Sequence, residues 1–443
     1  MDRVHGIAAS ATRDRQAFLA ERLVEVFGEG AAAGAGCVLA SAPGRMEVAG
    51  NHVDHQGGRV ISAAIAERTW GLARENGLGR IRAVMEGFGI VEIDLLDPAW
   101  TVPHPVEALS SESLVRGMAA QFAAAGGTVR GFDIVTCSDV PPGRGLSSSA
   151  AFEVMMGACL EGLFGPGPFG GAMPPCEGDS AGEGAAAVAG PAAVGLDPVA
   201  IALAATVCEQ RFFGKPCGAQ DQLASACGGV VAIDFAPAVP VVEPVALDAA
   251  QAGYAIVLVD SRQDHSLHQD EFAAIPADMR MVASFLGAAR LGDRKVDALL
   301  ERLQEARTAL GDRRVMRALH YYDEVERVQA QRDALAAGDF SAFLKNVRLS
   351  GASSAQFLQN VSLRDPGSEG RQPAMVIQGL CAHLLGEEGA WRIHGGGFGG
   401  SVLAFVPADR ADDFVTAMDG LLGYGACREV VIGAPGVRAE RLR

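Results

Sequence analysis

Apolar and polar positions follow two different periods along this chain, which predicts a mixture of helices and strands. Apolar residues at helical spacing predict an amphipathic helix over residues 11–28, and an unbroken apolar stretch predicts a buried helix over 147–163. A further helix is expected at 198–210, and charged helical patterns fill 276–346. Short apolar or alternating runs predict strands at 37–42, 60–66, parts of 80–95, 131–137, 230–233, 255–260 and the end of 391–406.

Helices and strands alternate without a strict strand-helix-strand repeat, which favours an α+β class in two domains. Residues 165–195 stand apart because they are almost wholly Gly, Ala and Pro with a few acidic residues. Too little large apolar surface is available there to form a packed core. We therefore expect a flexible surface insertion at 165–195.

The composition narrows the range of partners. The 443 residues include 49% hydrophobic and 20% charged residues, which is typical of a soluble globular protein with two or three domains. A net charge of −16 argues against nucleic acid or an anionic membrane as a partner. The charged N-terminus does not resemble a secretory signal, and no run of about 18 apolar residues predicts a membrane span. Nine scattered cysteines without CxxC spacing indicate reduced thiols in a cytoplasmic protein.

One glycine- and serine-rich segment has the character of an anion site. Residues 141–151 read PPGRGLSSSAA and lead into the helix predicted at 147–163. Backbone N–H groups at a helix N-terminus attract phosphate, and glycines let the backbone approach it closely. The segment lacks the Gly-Lys-Ser/Thr of a Walker loop. By itself it is also compatible with a simple helix N-cap.

A second polar segment lies between two predicted strands. Residues 41–58 read SAPGRMEVAGNHVDHQGG and cluster one arginine, one asparagine, two histidines and an aspartate around glycines. Loops between strands often carry function. A solvated connection between the strands is the alternative for this segment.

Four segments in order resemble the GHMP kinases, and within them the galactokinases. They are SAPGR–GNHVDHQGG, PPGRGLSSSAAFEV, CGAQDQ and HGGGFGGS, and they span about residues 40 to 405. The resemblance implies an N-terminal domain of the ribosomal protein S5 domain 2 kind over residues 1–230 and a ferredoxin-like C-terminal domain over 231–443. It also implies a site between these domains, ATP and Mg²⁺ as cofactors, and phosphoryl transfer to a sugar, usually at the anomeric C1 hydroxyl.

The resemblance also implies roles for individual residues. Asp221 matches the catalytic aspartate, which would accept or orient the proton of the sugar hydroxyl, and Arg45 would stabilise that carboxylate and the transferring charge. Ser148 and Glu209 would be the Mg²⁺ ligands. The structural alternatives are a surface ion pair for Arg45, a surface aspartate that caps a turn for Asp221 and an exposed helix charge for Glu209. The nucleotide would contact Gly143, Arg144, Gly145, Leu146, Ser147, Ser148, Ser149, Gly396 and Gly397.

The positions that would contact the sugar depart from the family. They are Asn51, His52, Asp54, His55 and Phe272. Asn51 replaces a glutamate that would bind the C6 hydroxyl, His55 replaces a tyrosine, and Phe272 replaces a frequent tyrosine. His52 and Asp54 match the family and would hold ring hydroxyls.

Three functions are compatible with these motifs and with the departures at the sugar positions. D-Galactose is the leading acceptor because the four motifs are present in order with Arg45, Asp221 and Ser148 intact, and the amide of Asn51 could still donate to and accept from its C6 hydroxyl. Galacturonate is the alternative, because the neutral Asn51 would not repel a C6 carboxylate, and plant galacturonate kinases look similar here. A sugar- and ATP-binding regulator without catalysis is the third, although the retained Asp221 and Arg45 argue against it. No motif indicates an oligomer, so a monomer is expected, and the adenine pocket is not assigned.

Overall fold

The computed structural model describes residues 2–28, 34, 36–165, 169, 192–263, 268–363 and 370–442. Within these residues the strands form two sheets, one of nine strands and one of four. The strands are β1 (Val38–Ala49), β2 (Arg59–Glu75), β3 (Arg80–Met85), β4 (Ile90–Asp94), β5 (Phe132–Ser138), β6 (Ala192–Ala193), β7 (Val230–Asp234), β8 (Val241–Pro244), β9 (Tyr254–Asp260), β10 (Ala390–Ile393), β11 (Ser401–Pro407), β12 (Cys427–Glu429) and β13 (Arg438–Arg441).

The described helices lie on and between these sheets. They are α1 (Asp2–Phe27), α2 (Ser111–Ala124), α3 (Ser148–Phe164), α4 (Pro198–Cys208), α5 (Gln220–Cys227), α6 (Gln269–Phe285), α7 (Val296–Leu300), α8 (Leu303–Leu310), α9 (Asp312–Ala336), α10 (Phe340–Ser353), α11 (Pro373–Leu385) and α12 (Ala411–Leu422). Short π-helical turns follow α4 at Glu209–Phe213 and α10 at Ser354–Leu358. None of the helices described is both long and apolar enough to cross a bilayer.

The larger sheet has the strand order β4-β3-β5-β2-β1-β13-β6, and β7 with β8 extends from β2. Strand β1 lies near its centre, and every residue of β1 is buried. A strand covered on both faces reads as a continuous apolar run, which explains the short apolar signal at 37–42. Helix α3 packs on β1 and β2 and is buried over most of its length.

The smaller sheet has the antiparallel order β10-β11-β9-β12. Helices α11 and α12 cover one face, where Ile377 and Met418 share a core cluster with Val402. Another cluster contains Met46 of β1 and Leu403 of β11, so the two sheets share one apolar core. The domain boundary at residue 230 stays a prediction, and the larger sheet takes β8 and β13 from beyond it.

Most elements expected from the apolar pattern are present, with different bounds. The helix expected at 198–210 ends at Cys208 and continues as the π-helical turn, which sets the position of Glu209. The insertion predicted at 165–195 lies for the most part outside the described residues. Of its described members, Phe169 packs edge-on against Phe122 with ring centroids 5.4 Å apart, and β6 pairs with β13.

Candidate functional site

A partly buried ion pair joins two of the four motifs. The Nε and Nη2 atoms of Arg45 donate hydrogen bonds to the two carboxylate oxygens of Asp221, at 2.7 Å each. Nη1 of the same guanidinium donates to the carbonyl of Gly145 at 2.6 Å. Arg45 is 6% exposed and directly follows an irregularity in the β1–β2 register. The pair therefore holds the 41–58 segment, the PPGRGLSSSAA loop and α5 together.

The surroundings keep Asp221 ionised. Burial alone would raise its pKa, but Arg45, Lys215 and a hydrogen bond from Ser147 outweigh it and lower the pKa of Asp221 to about 2. The Ser147 hydroxyl donates to Asp221 at 2.5 Å. A carboxylate with two fixed cationic or donor partners stays charged at neutral pH.

The N-terminus of α3 has no side-chain cap. Ser147 occupies the cap position with a left-handed φ of +57°, and its hydroxyl is directed to Asp221 rather than to the helix. The simple N-cap interpretation of the loop therefore does not hold for Ser147. Gly143 and Gly145 have φ of +71° and +75°, which side chains rarely adopt. The first N–H groups of α3 are left without a side-chain acceptor, as an anion site requires.

Leu146 and Arg144 anchor the PPGRGLSSSAA loop to the rest of the protein. Leu146 is 1% exposed, and its carbonyl accepts a hydrogen bond from the Arg45 backbone N–H at 3.1 Å. Arg144 is half-exposed and pairs with Asp260 at the end of β9, at 2.6 Å. The loop is thus tied to both sheets.

Glu209 lies beneath this loop as a charged, fully buried carboxylate. Its Oε1 accepts hydrogen bonds from Lys215 at 3.0 Å and from Ser149 at 2.9 Å, and Oε2 accepts from Gln222 at 2.7 Å. Burial would raise the pKa of Glu209, but Lys215 lowers it below its usual range. The expected exposed-helix alternative for Glu209 is wrong, because the residue is 0% exposed. Sequence reasoning missed Lys215 and Gln222.

Ser148, the other proposed metal ligand, begins α3 beside Ser149. No described residue accepts a hydrogen bond from its hydroxyl, whereas Ser149 already donates to Glu209. Over the described ranges, no group of three or more His, Cys, Asp or Glu side chains could hold a metal by itself.

Asp54 faces the CGAQDQ segment. A Cβ on Gly218 would lie 1.7 Å from Asp54 Oδ2, so only glycine leaves room for this carboxylate. Burial raises the pKa of Asp54 to about 7, with repulsion from Asp221 and Glu47 adding to it. Asp54 is therefore close to half-protonated at neutral pH.

His52, His55 and Phe272 form an aromatic group next to Asp54. The His52 ring lies 5.2 Å from the Phe272 ring and 6.0 Å from the His55 ring. His52 donates from Nε2 to the carbonyl of Gly396 at 2.8 Å, and burial lowers its pKa to about 4. Burial also lowers the pKa of His55 to about 3, and its buried Nε2 has no partner among the described residues. The structure therefore brings four of the five predicted sugar residues together.

Asn51 is occupied by the protein. It is 0% exposed, and its amide nitrogen donates to Glu47 at 3.0 Å and to the Gly395 carbonyl at 2.7 Å. Its amide oxygen accepts from Ser354 at 3.1 Å and from Asn360 at 2.8 Å. Two donors and two acceptor positions exhaust the capacity of an amide. Its predicted contact with a sugar stays a prediction, and in this structure the amide joins the two sheets instead.

Sequence reasoning also missed Glu47 and Arg392. The fully buried Arg392 of β10 forms an ion pair with Glu47 of β1, and Gln220 donates to Glu47 at 3.4 Å. Burial raises the pKa of Glu47 against the opposing effect of Arg392. A charged residue inside an apolar strand run was the available signal for both. Through Glu47, the ion pair supports Asn51 and Gln220, which is the residue before Asp221.

Packing requires glycine at positions 396 and 397 of the HGGGFGG turn (residues 394–400). A Cβ on Gly396 would lie 2.2 Å from the Phe272 ring, and one on Gly397 would lie 2.2 Å from the carbonyl of Asn360. The predicted contacts of Gly396 and Gly397 with the nucleotide stay predictions. The described contacts show Gly396 packed against Phe272 and Gly397 packed against Asn360.

Comparison with known proteins agrees with this arrangement. Residues 23–75 match the galactokinase galactose-binding signature, and residues 113–169 match the GHMP kinases N-terminal domain. The chain is 27% identical over 380 residues to a galactokinase of Glaesserella parasuis serovar 5 (strain SH0165), covering 84% of this chain and 85% of that protein.

Solved structures share the fold. The Lactococcus lactis galactokinase complexed with galactose superimposes with a TM-score of 0.74 at 22% identity, over 96% of this chain and 98% of that one. The mevalonate kinase of Methanococcus jannaschii gives a TM-score of 0.56 at 13% identity, over 91% and 98% of the two chains. The ordered motifs, the two signature matches and the curated relative agree. The chain is therefore similar to galactokinases and carries sequence signatures of the galactokinases and of the GHMP kinases.

Proposed function

We propose that this protein transfers the γ-phosphoryl group of ATP to the anomeric C1 hydroxyl of a monosaccharide, with D-galactose as the favoured acceptor. One observation carries the proposal. Arg45 and Ser147 hold Asp221 at the uncapped N-terminus of α3, and the charge of Asp221 acts on Asp54 in the segment that carries His52 and His55. An acceptor hydroxyl and a phosphate donor can meet there.

The charge state of Asp221 suggests how it acts. With a pKa of about 2 it is a weak base, so early removal of the sugar proton is not its main contribution. Phosphoryl transfer passes through a loose transition state that needs little deprotonation of the nucleophile beforehand. Asp221 would orient the hydroxyl and accept its proton as the new O–P bond forms. Arg45 would stabilise the carboxylate and the charge on the transferring group.

Ser148 and Glu209 fit a Mg²⁺ ion. Mg²⁺ prefers oxygen ligands and is usually held by one or two protein groups, with phosphates and waters completing its octahedron. The Ser148 hydroxyl has no acceptor among the described residues, and Glu209 is charged. The bound ion would neutralise charge on the nucleotide phosphates. Lys215, which pairs with Glu209, adds a fixed positive charge on the same side of the loop.

Galacturonate remains the alternative acceptor because of His55. Its Nε2 is buried without a partner among the described residues, which makes it available to a carboxylate or a hydroxyl of the sugar. The carboxylates of Asp54 and Asp221 act against a uronate, since like charges repel in a buried site. Galactose is therefore the better fit to the charges of the pocket.

An ADP-release assay over galactose, galacturonate, N-acetylgalactosamine and arabinose tests the proposal. We expect the highest kcat/KM with galactose. Turnover of galacturonate without turnover of galactose would replace the favoured acceptor by the alternative. Sugar and ATP binding without any turnover would indicate a regulator and contradict the kinase assignment.

A further inference from the structure

His394 is a buried histidine at the junction of the two glycine loops. It follows β10 directly and is 2% exposed. Its backbone N–H donates to the carbonyl of Ser401 at 2.9 Å, which closes the base of the HGGGFGG turn. The His394 ring reaches the motif that contains Gly145.

The ring of His394 has a defined tautomer. The backbone N–H of Glu47 donates to Nε2 at 3.1 Å, so Nε2 must be the unprotonated nitrogen. Burial, together with the positive charges of Arg45 and Arg392, lowers the pKa of His394 well below its usual range. The ring is therefore neutral, and its single proton lies on Nδ1.

That Nδ1–H has no acceptor. It is buried and makes no hydrogen bond to any described residue. Buried donors are almost always paired in native proteins, so an unpaired one calls for an explanation. The position of Nδ1 points to an explanation. A Cβ on Gly145 would lie 3.2 Å from Nδ1, so the donor faces the PPGRGLSSSAA loop.

The acceptors of Gly145 and Asp221 already receive hydrogen bonds from other groups, and none of them accepts from Nδ1. The Gly145 carbonyl accepts from Arg45, and the Asp221 oxygens accept from Arg45 and Ser147. The other features there are the uncapped N-terminus of α3 and the Arg45 guanidinium, which both attract anions. A ligand that completes this set must bring acceptors and negative charge, as a phosphate does.

We propose that His394 donates a hydrogen bond from Nδ1 to a phosphate oxygen of the nucleotide bound at the PPGRGLSSSAA loop. This inference rests on the proposed kinase function, because the nucleotide is the ligand. The Glu47 backbone fixes the donor direction before the nucleotide arrives. A neutral donor keeps this contact unchanged over the physiological pH range.

Two substitutions separate the two ring nitrogens. In His394→Gln the amide can take the place of Nε2 and accept from Glu47, while the donor at the Nδ1 position is lost. In His394→Asn the amide nitrogen takes the place of Nδ1, while the bond to Glu47 is lost. We expect His394→Gln to bind ATP and ADP at least about tenfold more weakly at an unchanged melting temperature. His394→Asn should lower the melting temperature and keep most of the nucleotide affinity.

The measurement is calorimetric titration with ATP, ADP and adenosine in the absence of sugar, and with galactose separately. Adenosine lacks phosphate, so its affinity should be the same in His394→Gln and the wild-type protein. Equal ATP affinity in the two proteins would overturn the inference. Equal losses for ATP and adenosine, or a loss confined to galactose, would overturn it as well. Failure of the wild-type protein to bind ATP would instead overturn the proposed function, and with it this inference.

Discussion

Arg45 holds both carboxylate oxygens of Asp221 at 2.7 Å, although the two residues lie 176 positions apart in the chain. The guanidinium is almost completely buried, and the carboxylate keeps a pKa of about 2. The two hydrogen bonds from Arg45 therefore hold the negative charge of Asp221 in one position. In the proposed reaction that position is where the acceptor hydroxyl is oriented.

Asp221→Asn should lower kcat by about 10²–10⁴-fold, because the amide can neither accept the proton nor balance Arg45. ATP affinity should persist, since Asp221 is not proposed to bind the nucleotide. Steady-state kinetics with calorimetric ATP binding checks this prediction. The melting temperature of Asp221→Asn must be measured as well, because breaking this partly buried pair costs up to about 3–5 kcal/mol. Full turnover in the variant would refute the role of Asp221.

Asp54 should make stability fall as the pH rises. Its pKa is raised from 3.8 to about 7, so between about pH 4 and 7 the native state keeps a proton that the unfolded chain releases. Asp54→Asn should remove this effect and stabilise the protein by about 2–4 kcal/mol at pH 8, with little change at pH 4. Denaturant unfolding at both pH values measures it.

The exposed Asp413 of α12 provides the matched control for Asp54. Asp413→Asn should change the free energy of unfolding equally little at both pH values. If Asp54→Asn behaved in the same way, the Asp54 carboxylate would not bind the proton with the raised pKa described above. Sugar KM should also depend on pH with an apparent pKa near 7 in the wild-type protein and not in Asp54→Asn.

Gly218→Ala should damage the sugar side of the site. The new methyl group would lie 1.7 Å from Asp54 Oδ2, so the carboxylate or the CGAQDQ backbone must move. We expect a destabilisation of about 1–3 kcal/mol and a raised sugar KM with nearly unchanged ATP affinity. Gly379→Ala in α11 is the control, because no atom lies within 4 Å of its added Cβ. Equal behaviour of the two variants would contradict the close approach.

Asn51→Asp should destabilise the protein, because it replaces two donated hydrogen bonds by a second buried carboxylate beside Glu47. The expected loss is about 2–5 kcal/mol. Adding Glu47→Gln in the same chain should restore part of it, since the repulsion between the carboxylates disappears. An Asn51→Asp protein as stable as wild type would show that the amide is not the buried junction described here.

Much of the site was accessible from the sequence because its motifs are local. Arg45, Asp54 and the serines each lie in a short segment whose glycines and apolar flanks mark a loop between regular elements. The apolar period likewise predicted α3 and the core strands, since burial on both faces leaves a continuous apolar run. Bounds were less accurate, as with the helix that ends at Cys208 and continues as a π-helical turn.

The parts that sequence reasoning missed depend on contacts between distant segments. Arg392 pairs with Glu47 although 345 positions separate them in the chain. The contacts of Asn51 depend on Ser354 and Asn360, which lie outside all four motifs. No local period encodes such pairs, because they form only when the two sheets pack. A charge inside an apolar strand was the sole sequence signal for Glu47 and Arg392.

Phosphorus and proton NMR of the reaction of the wild-type protein with ATP, Mg²⁺ and D-galactose tests the central claim most directly. The account predicts ADP and a sugar phosphate whose phosphorus couples to the anomeric proton, with the signal almost abolished in Asp221→Asn. A product phosphorylated at C6, or no phosphorylation of any sugar in the panel by a protein that binds ATP, would contradict it.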